Sequence, residues 1–126
     1  MTNVVILEDN ISIASMLCVL AKRSNLEYIH FTTPSQAIAG GVIEKADFII
    51  SDFEMPPENA FVLLKYLRDN NLKIPVIMHS AYDDIRNVIM KQGYTDLIDE
   101  YLDKPSDIKT ILNTMKKFIN KCKRRQ

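Results

Sequence analysis

Short runs of consecutive apolar residues alternate along this chain with longer stretches in which apolar positions recur every three or four residues. Val4-Val5-Ile6-Leu7 is uninterrupted and of strand length, which predicts a strand covered on both faces. Asn10 then caps a helix whose Ile13, Leu17 and Leu20, with Ala14 and Ala21, fall on one face. Leu26 to Phe31 predicts a second strand. Thr33 as N-cap with Pro34 at the first helical position predicts a helix running through Ile43, weakened near its end by Gly40-Gly41. The run Phe48-Ile49-Ile50-Ser51 predicts a third strand that stops at Asp52 and gives way to the Met55-Pro56-Pro57 loop. Asn59 caps a helix carrying Phe61, Leu64 and Leu67, which ends at Asn70-Asn71.

In the second half, Ile74 to Met78 predicts a fourth strand, with Pro75 tolerable only at its start. Asp83 or Asp84 opens a helix that places Ile85, Val88 and Ile89 together and closes near Gly93. After a less regular segment, Tyr94 to Glu100, a short fifth strand is expected at Tyr101-Leu102. The clearest pattern closes the chain: Ile108, Ile111, Leu112, Met115, Phe118, Ile119 and Cys122 share a helix face, with Ser106 as the expected cap. Strands alternating with helices in this order imply an α/β domain, a parallel sheet covered on both faces by right-handed crossovers.

Composition adds mostly exclusions. A chain of 126 residues fits one domain with its own core, and 16 basic against 16 acidic residues favour no particular partner. The exception is the end, where Lys116, Lys117, Lys121, Lys123, Arg124 and Arg125 crowd together without an acid. Such residues complement a helix C-terminus and keep a chain soluble more often than they bind nucleic acid or an acidic partner. The expected division is a domain over 1–122 and a basic tail over 123–126. No apolar run approaches the ~18 residues of a membrane span and no signal pattern opens the chain, so a cytoplasmic protein without membrane contact is expected. Cys18 and Cys122 lie far apart inside helical patterns and are expected to be reduced core residues. His30 and His79 are expected to be satisfied structural histidines. Without a glycine-rich phosphate loop, a dinucleotide or nucleotide-triphosphate fold finds no support.

The candidate chemistry lies where the strands end. Glu8-Asp9, Asp52, Ser80 and Lys104 each fall at the carboxyl end of a different predicted strand, the edge at which open α/β sheets place their sites. Any one of them alone has a plain reading. A strand-end Asp merely ends its strand or caps the next helix, and Glu8 and Asp9 would each stabilise a helix N-terminus by ~0.3–1 kcal/mol. Convergence on one edge changes that, because three carboxylates within about 4 Å repel by up to ~4 kcal/mol per pair at an effective dielectric near 20. A cation must offset them, and an oxygen-only donor set suits Mg²⁺. Lys104 adds a point-charge phosphate binder and Ser80 a hydroxyl for a phosphoryl oxygen, leaving Asp52 as the nucleophile of a phosphoryl transfer that forms an acyl phosphate.

With Glu8-Asp9, Asp52 followed by Met55-Pro56, Ser80-Ala81 after an apolar strand, and Tyr101 ahead of Lys104-Pro105, the chain closely resembles the receiver domain of two-component response regulators, of the stand-alone chemotaxis type. The resemblance runs from Val4 through the last helix. It implies a flavodoxin-like (βα)5 fold with strand order 2-1-3-4-5. It also implies phosphotransfer from a histidine kinase or phosphotransfer protein to Asp52 with Mg²⁺ or Mn²⁺, and a switched surface read by a downstream protein that the sequence does not identify.

By that likeness Glu8, Asp9, Asp52 and the backbone carbonyl of Glu54 hold the metal and Lys104 contacts the phosphoryl group. Ser80 and Tyr101 switch, and the Lys104-Pro105 bond is cis. The protein is then no enzyme beyond its own phosphorylation and dephosphorylation, and no nucleic acid is expected as a partner of this chain alone. Three features depart from the family: Ala60 where relatives usually carry glycine, a longer segment between Gly93 and Lys104, and a shorter helix region before it. Glu54 and Tyr82, beside Asp52 and Ser80, are candidate modulators of phosphoryl lifetime, with solvated rim side chains as the plainer reading. Two alternatives stay open on sequence alone, a phosphorylation-independent module on the same fold and a Mg²⁺-dependent aspartyl-phosphate phosphatase of the haloacid-dehalogenase type.

Overall fold

The computed structural model describes residues 1–124. The apolar runs form β1 (Asn3–Leu7), β2 (Glu27–Phe31), β3 (Phe48–Ser51), β6 (Val76–Ser80) and β7 (Ile98–Asp103). They make one parallel sheet in the order β2-β1-β3-β6-β7. The loop after β3 contains a small antiparallel hairpin, β4 (Glu54–Met55) with β5 (Glu58–Asn59), whose turn holds a cis Pro56-Pro57 bond. Leaving that hairpin aside, the sheet has the expected flavodoxin-like order.

Alternation along the strands sorts the core into two layers. Val5, Leu7, Ile49, Val76 and Met78 face the helices α2 (Pro34–Ala39), α3 (Phe61–Asp69) and α4 (Ile85–Lys91), meeting Ala37, Leu64, Leu67 and Ile89. Val4, Ile6, Phe48, Ile50, Ile77 and Leu102 face α1 (Ile11–Arg23) and α5 (Ile108–Arg124), meeting Leu17, Leu20, Ile111, Met115 and Phe118. Phe118 and Phe48 are both fully buried, with ring centroids 5.7 Å apart. Cys122 is buried on the same side and its thiol donates to the Asp47 carbonyl at 3.4 Å, whereas Cys18 is half-buried; neither forms a disulfide.

Several boundaries differ from expectation, each for a local reason. α2 stops at Ala39 instead of reaching Ile43, because Gly41 adopts φ +69° and turns the chain into a 3₁₀ turn over Ile43–Lys45. Pro34 holds the first helical position, but the Thr33 side chain makes no capping bond. The Asn59 carboxamide does accept from the Phe61 N–H at 2.9 Å. Asp84 precedes α4 without a capping bond to it. For α5 the cap is Asp107, which accepts from the Thr110 N–H at 2.7 Å, while Ser106 donates to the Asp103 carbonyl. Ile108, expected on the buried face, is exposed. α5 continues through Lys123 and Arg124, so only Arg125 and Gln126 of the expected tail lie outside the described residues.

The two largest departures affect the site. β6 begins after Pro75 and runs to Ser80, which brings His79 and Ser80 into the strand, while the Pro75 carbonyl still accepts from the Ile49 N–H at 2.9 Å. β7 is much longer than Tyr101-Leu102. Its register against β6 steps from Val76↔Ile98 to Ile77↔Glu100, and the skipped Asp99 accepts from the Val76 N–H at 3.2 Å. The segment before Lys104 is thus taken up by a 3₁₀ turn over Thr95–Leu97 and a bulge at Asp99.

Because Phe118 fastens α5 to the sheet, Phe118→Ala should cost about 3–5 kcal/mol in urea unfolding. Val19→Ala, at an exposed position of α1, should fall within about 0.5 kcal/mol of wild type.

Candidate phosphoryl site at the carboxyl edge of the sheet

Three site residues are set by the sheet's own hydrogen bonding, extended by one residue past each strand. The Glu8 N–H donates to the Phe31 carbonyl at 3.1 Å, the Asp52 N–H to the Leu7 carbonyl at 2.8 Å, and the Lys104 N–H to the Ser80 carbonyl at 3.0 Å. Side chains far apart in sequence are thereby brought to one edge with backbones already fixed. The Glu8 carbonyl is held in turn by the His30 imidazole at 2.6 Å, so His30 is the satisfied structural histidine expected.

The Lys104 ammonium lies 2.7 Å from Glu8 Oε1 and 3.3 Å from Asp52 Oδ2. The remaining carboxylate oxygens take backbone donors: Asn10 N–H to Glu8 Oε2 at 3.2 Å and Phe53 N–H to Asp52 Oδ1 at 2.7 Å. Glu8 and Asp52 are buried, whereas Asp9 is exposed. One oxygen from each of Glu8, Asp9 and Asp52 lies within 4.8 Å of the others. Two buried acids and one open to solvent form an all-oxygen donor set that fits a hard divalent cation retaining several waters. α1 starts only at Ile11 and has no acid in its first turn, so neither Glu8 nor Asp9 serves as a first-turn helix acid.

Burial, then the hydrogen bond and charge of Glu8, push the Asp52 carboxyl up to about 7, against the pull of Lys104 and the Phe53 N–H. Two negative charges and one positive in a partly dry edge leave an unmet demand for positive charge.

Asp52, Glu54, Ser80, Tyr82 and Lys104 line one open depression of ≈ 320 Å³. The Ser80 hydroxyl accepts from the Tyr82 N–H at 3.1 Å, which ties the β6 end to the loop ahead of α4. Tyr82 is half-exposed and its ring lies 6.4 Å from that of Phe53. Tyr101 stands apart from the depression. Its hydroxyl is buried without a partner and the Arg86 guanidinium stacks 4.2 Å above its ring. Ala60 is accommodated without strain, since it sits in the ordinary helical region at φ −65° and its N–H donates to the Phe53 carbonyl at 2.8 Å. The Lys104-Pro105 bond is cis, as the resemblance implied.

His79 corrects an expectation: it is buried, yet neither ring nitrogen has a hydrogen-bond partner. The sequence signal for it was available, since a histidine at a strand position in phase with Ile77 must enter the core. The contacts of Lys104 with Glu8 and of Arg86 with Tyr101 carry no such signal, because both depend on how separate elements dock.

The fold and this edge define a receiver-type α/β protein, and comparison with known proteins agrees. The chain belongs to the response regulator receiver domain family, whose model matches residues 4–116. Among curated proteins it is similar to the transcriptional regulatory protein YbdJ of Bacillus subtilis, 28% identical over 116 residues, covering 92% of this chain and 50% of YbdJ. It is also similar to the alkaline phosphatase synthesis transcriptional regulatory protein PhoP of the same organism, 26% identical over 102 residues, covering 81% of this chain and 42% of PhoP. The chain therefore spans about half the length of these curated relatives.

Among solved structures, the receiver domain of the Francisella response regulator 1452 superposes with TM-score 0.80 at 26% identity, covering 100% of both chains. Two others share the fold: the chemotaxis response regulator CheY4 of Vibrio cholerae (TM-score 0.79, 24% identity, 94% and 98% covered) and TrrA of Thermotoga maritima, solved in complex with Mg²⁺-BeF (TM-score 0.77, 19% identity, 94% and 99% covered). Receiver domains are signalling modules of two-component systems. Among the described residues no helix is long and apolar enough to cross a membrane.

The raised Asp52 carboxyl has a measurable consequence in metal-free protein. Between the ordinary value of 3.8 and about 7 the folded state keeps a proton that the unfolded chain has lost, so this group's stabilising contribution is lost as pH rises. The slope is at most ~1.4 kcal/mol per pH unit. His79, lowered from 6.5 to about 4 chiefly by burial, acts in the opposite sense over that range, since there the unfolded chain binds the extra proton. Subtraction isolates Asp52: in chelator-treated protein, the stability of Asp52→Asn relative to wild type should grow from about pH 4 to about pH 7 in urea titrations. A pH-independent difference would contradict the assignment.

Proposed function

We propose that this chain takes a phosphoryl group from a histidine kinase, or from a phosphotransfer protein, onto Asp52 and thereby switches a protein-interaction surface. The observation that carries this reading is the shared Lys104 ammonium between Glu8 and Asp52, beside three carboxylates whose oxygens converge within 4.8 Å. In the transfer, an Asp52 carboxylate oxygen forms the new P–O bond as the donor's P–N bond breaks and its imidazole departs. Asp52 is held for attack by the Phe53 N–H, and Lys104 follows the phosphoryl oxygens from a backbone anchored on Ser80. Transfer of this kind is catalysed mainly by positioning and charge.

Glu8, Asp9 and Asp52, with the backbone carbonyl of Glu54, would hold Mg²⁺ or Mn²⁺, which supplies the positive charge that the acids and the phosphoryl oxygens require. The Mg²⁺-BeF complex of the similarly folded TrrA is in keeping with that assignment.

Ser80 moves its hydroxyl from the Tyr82 N–H toward the phosphoryl group, and Tyr101 responds by changing its packing under Arg86. The unpartnered Tyr101 hydroxyl supports a group able to change position. The chain catalyses no more than its own phosphorylation and dephosphorylation. A cytoplasmic location and a receiver unit over 1–122 belong to the same reading, as does a downstream protein target rather than nucleic acid.

Incubation with Mg²⁺ and acetyl phosphate should add the mass of one phosphoryl group to wild type, mapped to Asp52, and none to Asp52→Asn. An adduct elsewhere, or none, would overturn the acceptor. Glu54 and Tyr82 flank Asp52 in one depression and govern access of the hydrolytic water. Glu54→Ala and Tyr82→Ala should each change the dephosphorylation rate several-fold in a phosphate-release assay, and unchanged rates would remove them from this role.

A further inference from the structure

Glu8, Asp9 and Asn10 form the whole connection between β1 and α1, and its two ends are fastened. The Glu8 N–H donates to the Phe31 carbonyl at 3.1 Å, the Asn10 N–H to Glu8 Oε2 at 3.2 Å, and the Asn10 side chain accepts from the Ile13 N–H at 3.0 Å. Asp9 lies between them, exposed, and its carboxylate takes no hydrogen bond or ion pair from any described residue. Its direction is therefore set by the backbone that carries it. The Glu8 carbonyl and the Asp9 N–H belong to one rigid peptide plane, and turning that plane swings the Asp9 side chain. In a continuing parallel ladder this carbonyl would receive the N–H two residues beyond Phe31. β2 ends at Phe31, however, and the chain turns into α2 at Pro34, so that backbone donor does not reach it. The His30 imidazole takes its place, with Nε2 2.6 Å from the Glu8 carbonyl oxygen. A carbonyl only accepts, so Nε2 carries the hydrogen.

We infer that His30 is a positioning residue for the cation site: by holding the Glu8–Asp9 peptide plane, it aims the Asp9 carboxylate at the oxygens of Glu8 and Asp52. This role rests on Glu8, Asp9 and Asp52 acting as the metal ligands of the proposed function. It follows from how differently the three acids are supported. Glu8 and Asp52 are buried and bonded to Lys104 and to backbone N–H groups, so their carboxylates stay in place without help from that plane. Asp9 has only its backbone for guidance, and among the described residues His30 alone bonds the plane that leads into it. The imidazole itself is half-buried on the edge strand and touches no cation; it acts through the Glu8 carbonyl.

The test measures Mg²⁺ binding to the folded full chain by isothermal titration calorimetry, alongside metal-free stability in urea. His30→Phe keeps a flat, strand-favouring ring and removes the donor. It should weaken Mg²⁺ binding about tenfold, the lower end of what partners that orient metal ligands contribute. His30→Gln, whose carboxamide N–H has about the reach of Nε2, should stay within about threefold of wild type. A merely structural histidine would lower the metal-free stability of His30→Phe and leave the dissociation constant of the folded chain unchanged. Equal Mg²⁺ binding by wild type and His30→Phe, or His30→Gln as weak as His30→Phe, would overturn the role of His30 and leave the metal ligands standing. A wild type that binds no Mg²⁺ would overturn the metal ligands themselves, and the role of His30 with them.

Discussion

One ammonium group holds the functional edge together. Lys104 arrives from the far end of the sequence to sit between Glu8, which follows the first strand, and Asp52, which follows the central one. All three side chains are largely buried. The desolvation of such ions is offset only when their geometry is good and their remaining valences are satisfied, and loss of one partner strands the others. Here the valences are met by the Asn10 and Phe53 N–H groups on the acids and by both acids on the lysine. The arrangement still carries one more negative charge than positive before Asp9 is counted. Burial first, and then that imbalance, raise the Asp52 carboxyl, and the imbalance fits the edge to a cation and a phosphoryl group.

The sheet makes this possible by fixing the backbones beforehand. Glu8, Asp52 and Lys104 each donate their N–H to the carbonyl that ends a neighbouring strand, so the charges ride on extensions of the ladder rather than on loops. Strand order does the rest, since β1 and β3 are adjacent and β6 and β7 complete the same edge. The alternation that drives Ile77 into the α1–α5 layer also carries His79 there, directly behind Lys104. The candidate phosphoryl site and a cavity lined by His79, Ile13 and Met16 therefore meet at Lys104 and Ala81.

Much of this is legible in the amino-acid sequence. Continuous apolar runs identified the central strands because both of their faces are covered, and the acids that terminated them marked the edge. Where local signals competed, reading failed. Gly41 shortened α2, Asp107 displaced Ser106 as the cap of α5, and a bulge at Asp99 stretched a two-residue expectation into the six residues of β7. The pairing of Lys104 with Glu8, the stacking of Arg86 on Tyr101 and the isolation of the His79 nitrogens depend on docking between distant elements, for which a sequence carries no local period. The receiver resemblance covered the roles of single residues but not these contacts.

The central claim is that the carboxylate edge is a folded-state device short of positive charge. The most direct measurement is thermal unfolding across a Mg²⁺ titration of wild type, Asp9→Asn and Asp52→Asn. Binding to the native state alone predicts a wild-type transition that rises with the logarithm of Mg²⁺ above the dissociation constant, and a much smaller rise in either variant. A wild-type transition indifferent to Mg²⁺, or variants that respond as fully as wild type, would contradict it.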